Sequence, residues 1–201
     1  MVQPLWVFGY GSLIWNPGFE FVEHVVGRVD GFRRSFCMWS IHHRGSPKDP
    51  GLVLALDAQS DAHCMGVGFR AAPGTEEATL AALRARELIS SAYFEQTCQI
   101  HLVDGRAVDA VTYIIDPNHV QYCNLELDHQ AQIIARAIGG RGPNHEYLTK
   151  TATHLAQMGL ADPDLDWLSQ RVLELRSAYL ALAIRSRLHR VRATLFPKDP
   201  S

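Results

Sequence analysis

No stretch of this 201-residue chain approaches the run of about eighteen apolar residues that a membrane-spanning helix needs. Its start, Met1-Val2-Gln3-Pro4, lacks the basic residues and the long apolar core of a secretory signal. No membrane role is expected. An excess of one charge is also missing. Lys and Arg number 19 against 21 Asp and Glu, a formal net charge of -2, so no broad basic field points to nucleic acid. The basic residues that do gather, Arg185, Arg187, Arg190, Arg192 and Lys198 against Asp199, read as a solvated helix end favoured by the helix dipole. Cysteine is scarce and scattered. Cys37, Cys64, Cys98 and Cys123 form no Cys-x-x-Cys pair, which excludes the common zinc and redox motifs and suits reduced, buried thiols in a cytoplasmic protein. His42-His43 and His145-Glu146 fit no metal-ligand spacing, so no metal is expected.

What is present is an ordinary globular composition, 47% hydrophobic and 20% charged. It is enough for one substantial core and a single domain over residues 1–201, with residues 161–201 as a helical extension. The chain opens with a short buried strand, residues 5–8, that breaks at once into Gly9-Tyr10-Gly11-Ser12-Leu13-Ile14. The two glycines allow close approach to the backbone, and a nest of N–H groups there suits a carboxylate or phosphate. The third glycine of a dinucleotide fingerprint would fall on Ile14, and no helix follows. The glycines that flank a hydrolase serine are likewise absent around Ser12, where Tyr10 and Ile14 stand.

Strand-like runs follow at residues 22–29 and 32–39, and Asp30-Gly31 between them predicts a hairpin. A polar, Pro/Gly-rich loop over 40–51 is long enough to suggest function. Two further strands, 51–58 and 64–70, flank a Gln59-Ser60-Asp61 turn. A helix then runs from an N-cap at Thr75 to about residue 89. On it Leu80, Leu83, Arg84 and Glu87 share the i, i+3, i+4, i+7 stripe. A carboxylate on that stripe is either paired, with Arg84 or Arg86, or used. Residues 93–103 and 106–116 around Asp104-Gly105 give the strongest hairpin signal. A helix over 128–138 stopped by Gly139-Gly140, a helix capped by Asn144 with Tyr147 in its first turn, and a long last helix complete the order. Leu168, Val172, Leu175, Tyr179 and Leu182 form a seam on that last helix, for the body of the protein or for a second copy, so a monomer or homodimer is expected. Strands first and helices after argue an α+β fold with a largely antiparallel sheet.

Four motifs in this order carry a family resemblance: residues 7–15, His43-Arg44-Gly45, Arg86-Glu87 before a tyrosine, and Glu146-Tyr147-Leu148 after a glycine-rich break. Together they resemble the ChaC-like glutathione-specific γ-glutamylcyclotransferases over about residues 5 to 160. The resemblance implies a γ-glutamylcyclotransferase-like fold, a mixed, largely antiparallel β-barrel with packed helices. It implies conversion of glutathione to 5-oxoproline and cysteinylglycine, with no metal and no organic cofactor. It makes Glu87 the catalytic acid and base, and makes Gly9, Tyr10, Gly11, Ser12, Leu13 and Ile14 the substrate loop. Tyr147 becomes a pocket tyrosine. Arg44 is either a partner for the glycine carboxylate or a loop-stabilising arginine. The enzyme alternatives act on other γ-glutamyl peptides or γ-glutamylamines, and a non-catalytic γ-glutamyl-binding module is the third reading. The chain departs from the family at Ser90-Ser91-Ala92, where a glycine is common.

Overall fold

The structure, a computed structural model, describes residues 4–160 and 162–195, the last ten of these by backbone alone. Five strands close into a barrel: β1 (Trp6–Gly9), β2 (Phe21–Ser40), β3 (Gly51–Ala71), β4 (Tyr93–Leu102) and β5 (Ala107–Ile115). The order around it is β1-β3-β2-β4-β5. The pairings are antiparallel except at the closure, where β5 runs parallel both to β1, with Trp6 facing Ala110, and to β3, with Leu56 facing Ile114. Strand β1 is buried on both faces, as its unbroken apolar run demands. Trp6 and Phe8 pack with Leu56, Ile100 and Ile114. Val7, on the other face, meets Leu13, Leu83 and Tyr113. That second face is where α1 (Glu76–Glu87) lies down.

Two expected turns are not turns. Asp30-Gly31 and Gln59-Ser60-Asp61 both sit inside the long strands β2 and β3, which form one bent hairpin around the 40–51 loop. The register runs from Asp30↔His63 to Phe32↔Ala58, so residue 31 alone opposes residues 59–62. The turn residues therefore serve a bulge: Gly31 takes φ +82°, and the strand bends without reversing. The hairpin at Asp104-Gly105 forms as expected.

A helical layer covers the other side of the sheet. It comprises α2 (Leu127–Arg136), α3 (Asn144–Gln157) and α4 (Pro163–Leu195), packed through Ile134, Leu148, Leu155, Leu165, Leu168 and Val172 onto Phe36, Leu52 and Leu54. Gly139-Gly140 does not end α2 by a left-handed cap, since Ala137 ends it in an extended conformation. Instead β6 (Ile138–Gly139) and β7 (Gly142–Pro143) form a small hairpin against the 40–51 loop. A Cβ on Gly139 would fall 2.5 Å from the backbone nitrogen of Gly45, so glycine is required by contact. Asn144 is not the N-cap, which is Pro143. It is fully buried, and its amide accepts from Leu52 N and donates to Leu52 O, both at 2.7 Å, as a strand neighbour would. On α4, Leu168, Val172 and Leu175 join the core, whereas Tyr179 and Leu182 are exposed. Of the basic cluster, Arg185 is exposed, the side chains of Arg187, Arg190 and Arg192 are outside the description, and Lys198 and Asp199 lie outside the described residues.

The family's missing glycine has a structural counterpart. Ser91 has φ +55°, the one positive φ found on a non-glycine among the described residues. A left-handed conformation costs an L-residue about 1–2 kcal/mol, of which the extra chain entropy of glycine offsets roughly 0.5–1. Ser91→Gly should therefore stabilise the fold by about 0.5–1 kcal/mol, read as a higher urea midpoint at unchanged slope. A lower midpoint would show that the serine side chain holds the turn.

Candidate active site

One cavity of about 280 Å³ opens between the β1 turn, the end of α1, the 40–51 loop and the start of α3. Each wall has a local cause. After β1 the chain makes a 3-10 turn over Ser12–Ile14. Ile14 N is tied to Gly11 O at 3.0 Å and Asn16 N to Ser12 O at 2.9 Å. As at any helix start, the N–H groups of Gly11, Ser12 and Leu13 have no partner within the turn. Tyr10, Gly11, Ser12 and Leu13 line the cavity. Gly9 and Ile14 do not: Gly9 is packed by Leu13 and Phe69, and Ile14 belongs to the core under the helices. Tyr10 is buried, with its hydroxyl donating to Tyr113 O at 2.8 Å. Its own carbonyl accepts from Arg34 Nε at 2.6 Å, and Arg34 also pairs with Asp162 and donates to Met65 O.

Glu87 is the last residue of α1, and its side chain reaches the cavity with 18% exposure. The expected alternatives for its partner separate cleanly. Arg84 turns away to grip Glu95 with two hydrogen bonds of 2.7 and 2.6 Å. Arg86 comes close, its Nε 3.0 Å from Glu87 Oε1. The N–H does not point at that oxygen, however, and Oε1 accepts no hydrogen bond from any described residue. The other guanidinium nitrogens of Arg86 donate to Asn16 O and to Ser12 Oγ, each at 2.7 Å. Arg86 thus joins the glycine turn to the carboxylate. Burial pushes the Glu87 carboxyl above the usual carboxylate range, and the nearby charges of Arg86 and then Arg141 pull it partly back.

Tyr147 is buried at the start of α3, edge-on to Phe36 and Trp15. Its hydroxyl is so near the turn that a Cβ on residue 11 would stand 3.2 Å from it and press it back by a few tenths of an ångström. Burial holds its phenol well above the ordinary range, so it remains a proton donor. Arg44 is also buried. Its Nη1 donates to Arg141 O at 2.7 Å and to Pro143 O at 3.3 Å, and its guanidinium lies 5.6 Å from the Tyr147 ring. These bonds fit the loop-stabilising reading of Arg44. Sequence reasoning did not single out Tyr93, whose buried hydroxyl donates to Leu54 O at 3.2 Å beside the cavity. Nor did it mark Tyr113, Trp15 or Arg141, which also line it. Among the described residues no three His, Cys, Asp or Glu side chains gather as a metal site.

A closed mixed barrel whose opening strand ends in this turn, with a buried carboxylate across from it, has the γ-glutamylcyclotransferase fold. A solved yeast structure, described as a γ-glutamyl cyclotransferase specific to glutathione, superposes with a TM-score of 0.79 at 25% identity. It covers 87% of this chain and 98% of that one. The family model described as ChaC-like protein matches residues 5–175, and the chain belongs to that family. The Escherichia coli protein named glutathione-specific gamma-glutamylcyclotransferase is 40% identical over 167 residues, 81% of this chain and 70% of that protein. The human protein named glutathione-specific gamma-glutamylcyclotransferase 1 is 31% identical, over 78% of this chain and 72% of that one.

The Glu87 carboxyl has a higher pKa folded than unfolded, so the folded state binds its proton more tightly. The cost of ionising it is absent below the unfolded value and fully present above the folded one. At pH 7, Glu87→Gln should leave the melting temperature unchanged or raise it, as calorimetry would read; a fall would mean that the Arg86 contact outweighs burial. In Arg86→Gln the carboxyl loses its largest lowering influence. The acidic limb of kcat/KM for whatever reaction Glu87 serves should then move to higher pH, and an unmoved limb would separate the two residues.

Proposed function

We propose that this protein is a glutathione-specific γ-glutamylcyclotransferase. The substrate brings its own nucleophile: the α-amino nitrogen attacks the γ-amide carbonyl, a five-membered ring closes, and the amide C–N bond breaks. The products are 5-oxoproline and cysteinylglycine, with no atom gained or lost. The protein has two tasks, holding the molecule folded on itself and moving protons.

An α-amine with a reference pKa of about 7.7–8.0 is largely protonated at neutral pH and is then no nucleophile. Glu87 accepts that proton and returns one to the departing amine of cysteinylglycine. A carboxyl raised by burial suits both halves of that exchange. The N–H groups of Gly11, Ser12 and Leu13 hold the γ-glutamyl head, with Tyr147 donating to it and Tyr10 walling it in. Gly9 and Ile14 shape the turn from behind, and Arg44 supports the rim. One observation carries the reading: a buried carboxylate oxygen without a hydrogen-bond donor stands in the same cavity as the turn. A substrate ammonium would satisfy it. The relatives' names and the yeast fold point the same way. We also place the reaction in the cytoplasm, since all four cysteines are free and buried; no described helix is long and apolar enough to cross a membrane.

Incubation with glutathione, read by mass, should release 5-oxoproline and cysteinylglycine in equal amounts. Glu87→Gln keeps the shape and removes the base, so its turnover should fall by about 10²–10⁴. Wild-type release by that variant would remove Glu87 from the chemistry, and tight binding without release by the unmodified protein would favour a binding module.

A further inference from the structure

The cavity wall carries four cations, Arg44, Arg86, Arg141 and Lys150, against one acid, Glu87. Three of the four have evident structural employment. Arg44 holds the carbonyls of Arg141 and Pro143. Arg86 holds the glycine turn. Lys150 rests its ammonium 5.6 Å from the centre of the Trp15 ring. The guanidinium of Arg141 makes no hydrogen bond, ion pair or ring contact among the described residues, and the residue is exposed at the rim.

Its backbone, in contrast, is firmly placed. Arg141 forms the β6–β7 turn with Gly140, and that turn is stitched to the 40–51 loop by Gly140 N to His42 O and Arg141 N to His43 O, both at 2.9 Å. The carbonyl of Arg141 receives Arg44. The Arg141 charge is felt at Glu87, but its fork is bonded to neither carboxylate oxygen. A fixed backbone bearing a guanidinium with its hydrogen bonds unspent is a carboxylate receptor in waiting, because the planar fork matches a carboxylate with two parallel hydrogen bonds.

We propose that Arg141 binds the C-terminal carboxylate of the leaving half of the substrate, and so selects γ-glutamyl peptides with a free carboxylate over γ-glutamylamines. This rests on the cyclotransferase reading above. The γ-glutamyl head brings one ammonium and one carboxylate to Glu87 and the turn. A peptide leaving group adds a second carboxylate, and an amine leaving group adds none. The surplus positive charge at the mouth answers to that second carboxylate.

The test compares glutathione with glutathione amidated at its glycine carboxylate. In the unmodified protein kcat/KM for the free acid should exceed that for the amide by about tenfold or more, the scale of a charge-assisted pair. In Arg141→Gln the ratio should fall to near one, with the loss in KM, and Arg141→Lys should recover part of it. A ratio near one in the unmodified protein overturns the assignment. So does an undiminished ratio in Arg141→Gln, which would put the carboxylate on Lys150 or Arg44. An equal loss for both ligands overturns it too, since Arg141 would then act on the head or on Glu87 and not on the leaving half. Calorimetric binding of the same two ligands to Glu87→Gln reads the ratio without turnover. Failure of the chemistry and failure of the rim are therefore distinguishable, and an absence of binding by either ligand counts against both.

Discussion

The site depends on an unequal bond: Arg86 stands 3.0 Å from the Glu87 carboxylate yet gives its hydrogen bonds to the glycine turn. Had the N–H pointed at the carboxylate, a hydrogen-bonded ion pair would have lowered its pKa and taken up an acceptor site on Oε1. As built, the guanidinium moderates the charge while Oε1 stays open. The same side chain fixes the distance between the Glu87 carboxylate and the turn, because both ends of that distance are its partners. Burying a carboxylate with one unfilled acceptor works against stability, and the surrounding core supplies what is needed to hold it. Leu83, one turn earlier on α1, is fully buried against Val7 and Leu13.

Polar pins elsewhere keep the walls in register. Arg34 reaches from β2 to the Tyr10 carbonyl, next to the glycine turn, and pairs with Asp162, whose carboxylate accepts from Leu165 N at the start of α4. Asn144 fixes the start of α3 to β3, and with it the height of Tyr147. These buried polar groups are fully partnered and specific, so they align barrel and helices in a way that apolar packing alone does not. The 138–143 hairpin closes the rim by backbone bonds to His42 and His43, which is how a polar loop of twelve residues, 40–51, becomes a stable wall.

Much of this was legible in the chain. The glycine turn after a short buried strand, the Glu87 position on an apolar stripe and the Asp104-Gly105 hairpin all follow from local pattern, and the α+β order gave the fold class. What local pattern missed was decided at a distance. Asp30-Gly31 has turn chemistry, but a bulge uses the same positive φ, and only the pairing of β2 with β3 over 20 residues selects the bulge. Asn144 looks like a cap because capping is what asparagine does locally; the backbone of Leu52 that it meets is 92 residues away. Gly139-Gly140 looks like a helix stop, and the close approach of Gly45 that requires glycine there is likewise invisible in sequence. Arg34, Tyr93 and Tyr113 lie in strand runs where period-two alternation marks them as inward or outward and nothing more. For Arg44 the sequence offers either a ligand or the loop as partner, and the carbonyls of Arg141 and Pro143 that its guanidinium meets lie 97 and 99 residues away, where local pattern does not reach.

The central claim is geometric: the turn and Glu87 hold opposite sides of one γ-glutamyl head. It is tested most directly by a crystal structure of the Glu87→Gln protein with glutathione bound. The α-amino nitrogen should lie within about 3 Å of the residue 87 side chain, a hydrogen-bonding distance, with the head against the N–H groups of Gly11–Leu13 and the γ-carbonyl carbon within reach of that nitrogen. Glutathione bound with its amino group turned away from residue 87, or seated outside this cavity, would contradict it.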